Sequence, residues 1–114
     1  MKRVFVYTSL IQRRLVELND SEESARAIEN AILNNPEVGD IVPGTGGVRK
    51  FRLGDESRSK GKRGGIRVLF LDLPHVEKTH LLFLLRKGDA GDLTPDEKKV
   101  IRELVAILKK ESKP

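Results

Sequence analysis

The chain has 114 residues, no cysteine, 34% charged and 38% hydrophobic residues, and a formal net charge of +5. That length suits one domain, residues 1–114, with a core of its own, and the lack of cysteine excludes disulfides and thiolate metal sites. No apolar run approaches the roughly 18 residues of a membrane span; the longest, Leu81 to Leu85, is of strand length.

Met1-Lys2-Arg3 leads straight into Val4 to Tyr7, a β-rich run, without the apolar stretch of a signal peptide. A cytoplasmic protein with no membrane partner is therefore expected. Thr8 has the character of an N-cap. Ile11, Leu15 and Leu18 then recur at helical spacing, which predicts a first helix over about residues 9 to 18. Asp20 and Glu23 resemble a capping box, and Ile28, Ala31 and Ile32 form the apolar stripe of a second helix. Asn34-Asn35-Pro36 ends it, because proline disfavours helix in the residue before it.

A glycine-rich passage, Gly39 to Gly47, comes next. Val48 to Leu53 alternates, with Phe51 and Leu53 on one face and Lys50 and Arg52 on the other. Gly54 to Gly65 reads as a flexible basic hairpin loop. Ile66 to Leu71 and Thr79 to Leu85 are apolar at nearly every position, as expected of central strands covered on both faces. Thr94-Pro95-Asp96-Glu97 has the make-up of a helix start: a capping threonine, proline at the first helical position and glutamate at the third. Val100, Ile101, Leu104, Val105 and Leu108 supply that helix with its apolar stripe. The predicted order is β-α-α-β-β-β-α, a small α+β domain with helices packed on an antiparallel sheet.

Several chemistries fail on detail. Pro43-Gly44-Thr45-Gly46-Gly47 is followed by Val48-Arg49-Lys50 and a strand, whereas a phosphate loop needs lysine then serine or threonine opening a helix. A turn that needs positive φ is the better reading. His75 and His80 are the only histidines, without metal-ligand spacing; His80 opens an apolar strand and is expected to be a satisfied core or edge residue. Asp89 and Asp92 are expected to cap and terminate rather than bind metal, so no metal and no cofactor is expected.

The charge is the positive signal. From Arg49 to Arg67, eight basic residues (Arg49, Lys50, Arg52, Arg58, Lys60, Lys62, Arg63 and Arg67) stand against Asp55 and Glu56, a local excess of +6 within a chain of +5. A local cationic surface attracts polyanions, nucleic acid foremost. Lys50 and Arg52 share a strand face, Arg67 lies inside an apolar strand, and Lys87 ends another. A charge in an apolar strand is costly unless it faces water or a partner.

Two long motifs carry a resemblance. Gly39-Asp40-Ile41-Val42-Pro43-Gly44-Thr45-Gly46-Gly47-Val48-Arg49-Lys50 and Gly61-Lys62-Arg63-Gly64-Gly65-Ile66-Arg67-Val68 resemble the hallmark of RelE-like toxins of the HigB branch, from bacterial type II toxin–antitoxin modules. Lys87, Asp92-Leu93 and the closing helix complete the pattern, which spans essentially the whole chain. The resemblance implies a RelE-type fold and a toxin that enters the ribosomal A site and cuts mRNA. It also implies neutralisation by a tightly bound antitoxin, expected to carry a helix-turn-helix. Metal-free RNA cleavage needs a base for the 2′-hydroxyl, stabilisation of the phosphorane charge and an acid for the leaving oxygen. Clustered cations do the second task directly, and a lysine among arginines is the candidate base. The expected catalytic set is Arg67, Lys87, Lys50 and Arg52. Arg49, Arg58, Lys60, Lys62, Arg63 and Phe70 are expected to bind RNA or ribosome.

The chain departs from the family it resembles where close members carry aromatic residues, often tyrosine, at the positions of Phe70, Leu71 and Leu85. Many also have Lys-Asn-Glu in place of Lys87-Gly88-Asp89. Tyr7 is the only tyrosine. Two alternatives stand beside the ribonuclease: a catalytically weak RNA- or ribosome-binding protein that still pairs with an antitoxin, and a ParE-like gyrase inhibitor, against which both glycine motifs argue.

Overall fold

A computed structural model describes residues 3–18, 21–53, 66–86 and 93–112. Strand β1 (Val4–Tyr7) leads into helix α1 (Ser9–Leu15), then α2 (Ser21–Asn34), β2 (Asp40–Ile41), β3 (Arg49–Leu53), β4 (Ile66–Leu73), β5 (Lys78–Arg86) and α3 (Pro95–Glu111). A 3₁₀ turn, Pro74–Val76, joins β4 to β5. The result is a small mixed α+β domain with three helices and five strands among the described residues. Two elements were not legible beforehand: β2, whose two residues are too few for periodicity, and the 3₁₀ turn.

The caps act as the sequence leads one to expect. The Thr8 hydroxyl accepts the Ile11 amide at 3.1 Å and donates to the Leu82 carbonyl at 2.7 Å, so it starts α1 and ties it to β5. At α3 the Thr94 hydroxyl accepts the Glu97 amide while the Glu97 carboxylate accepts the Thr94 amide, a complete capping box. Asp20 and the basic loop Gly54 to Gly65 lie outside the described residues.

Strand order in the sheet is β1-β5-β4-β3-β2. The sheet is mostly rather than wholly antiparallel, because β1 joins β5 in parallel while the other pairs are antiparallel. Helices α1 and α2 form the crossover between the first strand and the rest, and a parallel edge follows from that. Both faces are covered. Ile11, Leu15, Ile28 and Ile32 pack on Phe51, Val68, Phe70, Leu81 and Leu84. On the other face Ile101 and Val105 of α3 pack with Val48, Leu69, Leu71, Leu73, Leu82 and Leu85. This double cover is why β4 and β5 read as continuous apolar runs.

Strand β4 runs two residues further than its apolar stretch, through Asp72, so Arg67 is not its only charge. Asp72 is held in a polar group in which Arg3 Nη1 donates to Asp72 Oδ1 at 2.8 Å and to Thr79 Oγ1 at 3.2 Å, and Thr79 Oγ1 donates to Asp72 Oδ1 at 2.7 Å. The ion pair staples the start of β1 to the far end of β4.

Between β4 and β5 the register shifts: Leu69 faces Phe83, but Phe70 faces Leu81. Leu82 is the extra residue of a bulge. Leu82 and Phe83 consequently both lie on the α3 side, between Leu81 and Leu84, which belong to the opposite core. No helix among the described residues is long and apolar enough to cross a membrane.

Candidate nucleic-acid interface

Antiparallel pairing puts Arg52 directly opposite Arg67, and Lys50 opposite Leu69. Phe51 between them belongs to the α1/α2 core. Alternation therefore sends Lys50, Arg52 and Arg67 to the α3 side of the sheet. Directly opposed residues have Cβ atoms about 5 Å apart, and like charges so placed repel. Leu85 completes the Arg52–Arg67 row, and Phe83 completes the row of Lys50 and Leu69. Arg52 is exposed, while Lys50 and Arg67 are half-buried. The arrangement is a cationic ledge beside an apolar floor of Leu69, Phe83 and Leu85, able to hold an anion from two or three directions at once.

A further cation arrives from α1. The Arg14 guanidinium lies 5.2 Å from the centre of the Phe83 ring, a cation–π contact. Phe83 is the cross-strand neighbour of Leu69 and lies one row from Arg67. Sequence reasoning missed the contact. Beside the core residue Leu15, Arg14 reads as an ordinary basic residue in a last helical turn. The contact joins α1 to β5 across nearly seventy residues, so no local pattern shows it.

One expected RNA contact, Phe70, is corrected, and Arg49 is placed apart from the ledge. Phe70 is fully enclosed, its ring edge-on to Phe51 with centroids 5.7 Å apart, and is a core residue with no face for a base. Its strand faces a covered layer on both sides, so an aromatic there packs rather than stacks. Arg49 lies on the opposite face from Lys50, and its Nη1 donates to the Glu37 and Gly39 carbonyls at 2.9 and 3.0 Å. It anchors the chain entering β2 instead of joining the ledge. Lys87, Arg58, Lys60, Lys62 and Arg63 lie outside the described residues. The ledge thus brings together Lys50, Arg52 and Arg67 of the expected set.

The glycine-rich turn is structural. Gly44, Gly46 and Gly47 have φ of 79°, 86° and 114°, the left-handed region expected of them. Buried Thr45 closes the turn: its hydroxyl donates to the Val42 carbonyl at 2.7 Å and accepts the Val48 amide at 3.2 Å. From α3, Lys109 Nζ donates to the Gly46 carbonyl at 2.6 Å and Arg102 Nη1 to the Gly44 carbonyl at 3.2 Å. The turn offers acceptors to lysine and arginine, the reverse of a phosphate cradle.

The usual proton carriers stand away from the ledge. Tyr7 donates its hydroxyl to Glu29 of α2, and burial together with that carboxylate pushes its pKa well above the ordinary phenol value. His75 sits in the 3₁₀ turn at the opposite end of β4 from Arg67. His80 is buried, opposite Leu71 in the layer that faces α3, and its Nε2 has no hydrogen-bond partner among the described residues. It is a core histidine as expected, with Nε2 left unsatisfied among the described residues. Burial, then the Lys78 ammonium, lower its pKa, with Glu111 opposing. No group of three or more His, Asp or Glu side chains among the described residues is placed to hold a metal ion. No protein-family model matches this chain.

Proposed function

We propose that this chain is a RelE-like toxin of a type II toxin–antitoxin module, a metal-independent endoribonuclease that cuts mRNA on the ribosome and is neutralised by a cognate antitoxin. The observation that carries the reading is the Arg52–Arg67 pair with Lys50 beside it on one sheet face. Two arginines directly opposed, with a lysine one row away, concentrate positive charge on one sheet face, and such a face attracts an anion. The phosphodiester of RNA is such an anion, and arginine's planar fork matches its oxygens. The element order and the two glycine motifs support the RelE-type topology, and the motifs' resemblance is what points to the ribosome and to a helix-turn-helix antitoxin.

In the proposed reaction the 2′-hydroxyl attacks the adjacent phosphorus. Its proton goes to a base, the P–O5′ bond breaks, and the departing oxygen takes up a proton, leaving a 2′,3′-cyclic phosphate. Arg67 and Arg52 stabilise the charge that builds on the phosphorane oxygens. Lys50, next along the ledge, is the nearest of the three to act in proton transfer.

One observation favours a weaker activity. Tyr7 and both histidines stand off the ledge, so the described residues lack a conventional acid–base pair there. A catalytically weak RNA-binding protein is the second reading. One assay separates the two: cleavage of ribosome-programmed mRNA by purified, folded protein. The ribonuclease reading expects cleavage that falls roughly 10²–10³-fold in Arg67→Ala, the scale of removing one oxyanion-type donor. Ribosome or RNA binding without cleavage supports the second reading, and cleavage undiminished in Arg67→Ala sinks the ledge as the active site.

A further inference from the structure

Beside the ledge lies a second feature that anion binding does not use. A cleft of about 260 Å³ opens between β2 and the start of α3. Asp40, Ile41, Pro43, Lys50, Leu93 and Lys98 line it. That volume is smaller than the pockets that take drug-sized ligands and suits one small planar group. Lys50 belongs both to the cleft and to the ledge, so the cleft opens beside the Arg52–Arg67 row.

Asp40 sits directly opposite Lys50 in the β2–β3 pair. Its position is tightly set. Gly39 before it has φ of 84°, and a Cβ there would meet the Lys50 carbonyl oxygen at 2.3 Å and Phe51 Cβ at 2.7 Å. Only glycine lets β2 approach β3 so closely, and that approach turns Asp40 to the α3 side. Asp40 is exposed at the mouth of the cleft, and its carboxylate beside Lys50 and Lys98 works against phosphate binding there. The cleft is suited to a neutral group that donates hydrogen bonds. Ile41, 54% exposed, and Pro43 supply an apolar rim. Lys50 and Lys98 line the cleft together with Asp40.

We propose that this cleft binds the base of a guanosine next to the phosphate on the ledge, and that Asp40 reads it. The inference rests on the RNA reading above and adds to it a preference for sequence. An ionised carboxylate only accepts hydrogen bonds. Of the four RNA bases, guanine alone presents two neighbouring donors on one edge, N1–H and the N2 amino group. Adenine and cytosine place a ring acceptor beside their amino group, which a carboxylate repels, and uracil presents one donor between two carbonyls. A two-point contact of this type discriminates by about 1–3 kcal/mol, which corresponds to roughly five- to 150-fold in affinity.

The test is fluorescence anisotropy with short labelled oligoadenylates in which one internal adenosine is kept, or replaced by guanosine or inosine. All carry the same charge, so the ledge binds them alike. Wild-type protein is expected to bind the guanosine strand about tenfold or more tightly than plain oligoadenylate. Inosine, which lacks the N2 amino group, should fall between. In Asp40→Asn, with its fold checked by circular dichroism, the guanosine preference should collapse, because the amide turns a donor toward guanine's donors. Affinity for oligoadenylate should rise a few-fold in that variant as a negative charge leaves. Equal wild-type affinity for all three strands overturns the cleft assignment and leaves the RNA reading standing. A guanosine preference that persists in Asp40→Asn also overturns it, while failure to bind any strand overturns both. Equal wild-type ratios overturn the assignment without the variant, and a wild-type preference is traced to Asp40 by Asp40→Asn or, where that variant does not fold, by Asp40→Ala.

Discussion

The α3 side of the sheet is one surface with two ends. At one end Val48, Leu71 and Leu73 lie under Ile101 and Val105, and the turn after Pro43 is clamped to α3 by Arg102 and Lys109. At the other, on the same strands, Lys50, Arg52 and Arg67 replace the aliphatic residues that alternation would otherwise place there. The first end is built for burial, where each side chain removed leaves a cavity. The second gives up aliphatic burial and gathers cations on one face, where the proposed function places the bound phosphate. Stability and function are thus divided along β3 and β4 rather than between separate elements.

That division is open to attack, beginning where the effect is largest. Leu71→Ala at the covered end should cost about 2–5 kcal/mol of unfolding free energy, the range for truncating a buried leucine. Urea denaturation measures it, and a cost under about 1 kcal/mol would mean α3 is not seated on β4. Arg67→Ala, at the other end of the same strand, is expected to act on cleavage rate instead.

A pair of glycines sharpens the contrast. Both Gly39 and Gly44 have positive φ, which costs alanine about 1–2 kcal/mol. For Gly44→Ala that is the whole expected cost, since nothing lies within 4 Å of the added Cβ. Gly39→Ala also drives a methyl into the backbone of β3, so it should exceed Gly44→Ala clearly in urea denaturation. It should also shift β2, with Asp40, away from Lys50. Equal costs for the two would show that β2 adjusts freely.

The smallest effect belongs to His80, at the covered end. Its pKa is lowered in the folded chain by burial and Lys78, from an ordinary value of 6.5. The unfolded chain therefore takes up the proton first as pH falls. The contribution of neutral His80 is intact above about pH 6.5 and declines below it, down to the depressed folded value. Denaturation at a series of pH values should show wild type losing stability relative to His80→Gln over that window. A difference that stays constant from pH 7 to 5 would contradict this.

Much of the frame was legible in the residues themselves. Both threonine caps, the helical stripes, the punctuation at Asn34-Asn35-Pro36 and the positive-φ turn at Gly44 to Gly47 are local, decided by a few neighbouring backbone groups. The double cover of β4 and β5 was legible too, because a strand buried on both faces must be apolar throughout. So was the common face of Lys50 and Arg52, which follows from alternation alone.

Tertiary structure decided the rest, because each remaining question depends on pairing between distant segments. Which strand lies opposite Arg67 is a matter of register, and register made it Arg52. Whether Phe70 packs or stacks depends on which layer covers its face, and α1 with α2 cover it. Arg49, next to Lys50 in sequence, went to carbonyls on the other face, since adjacent strand residues point opposite ways. Arg14 meets Phe83 across elements that lie far apart in sequence, a contact that no local pattern announces. The sequence by itself determined that the chain carries a concentrated cationic charge on a small α+β frame. Folding selected which of those cations share a surface, because long-range strand pairing is written in no local pattern.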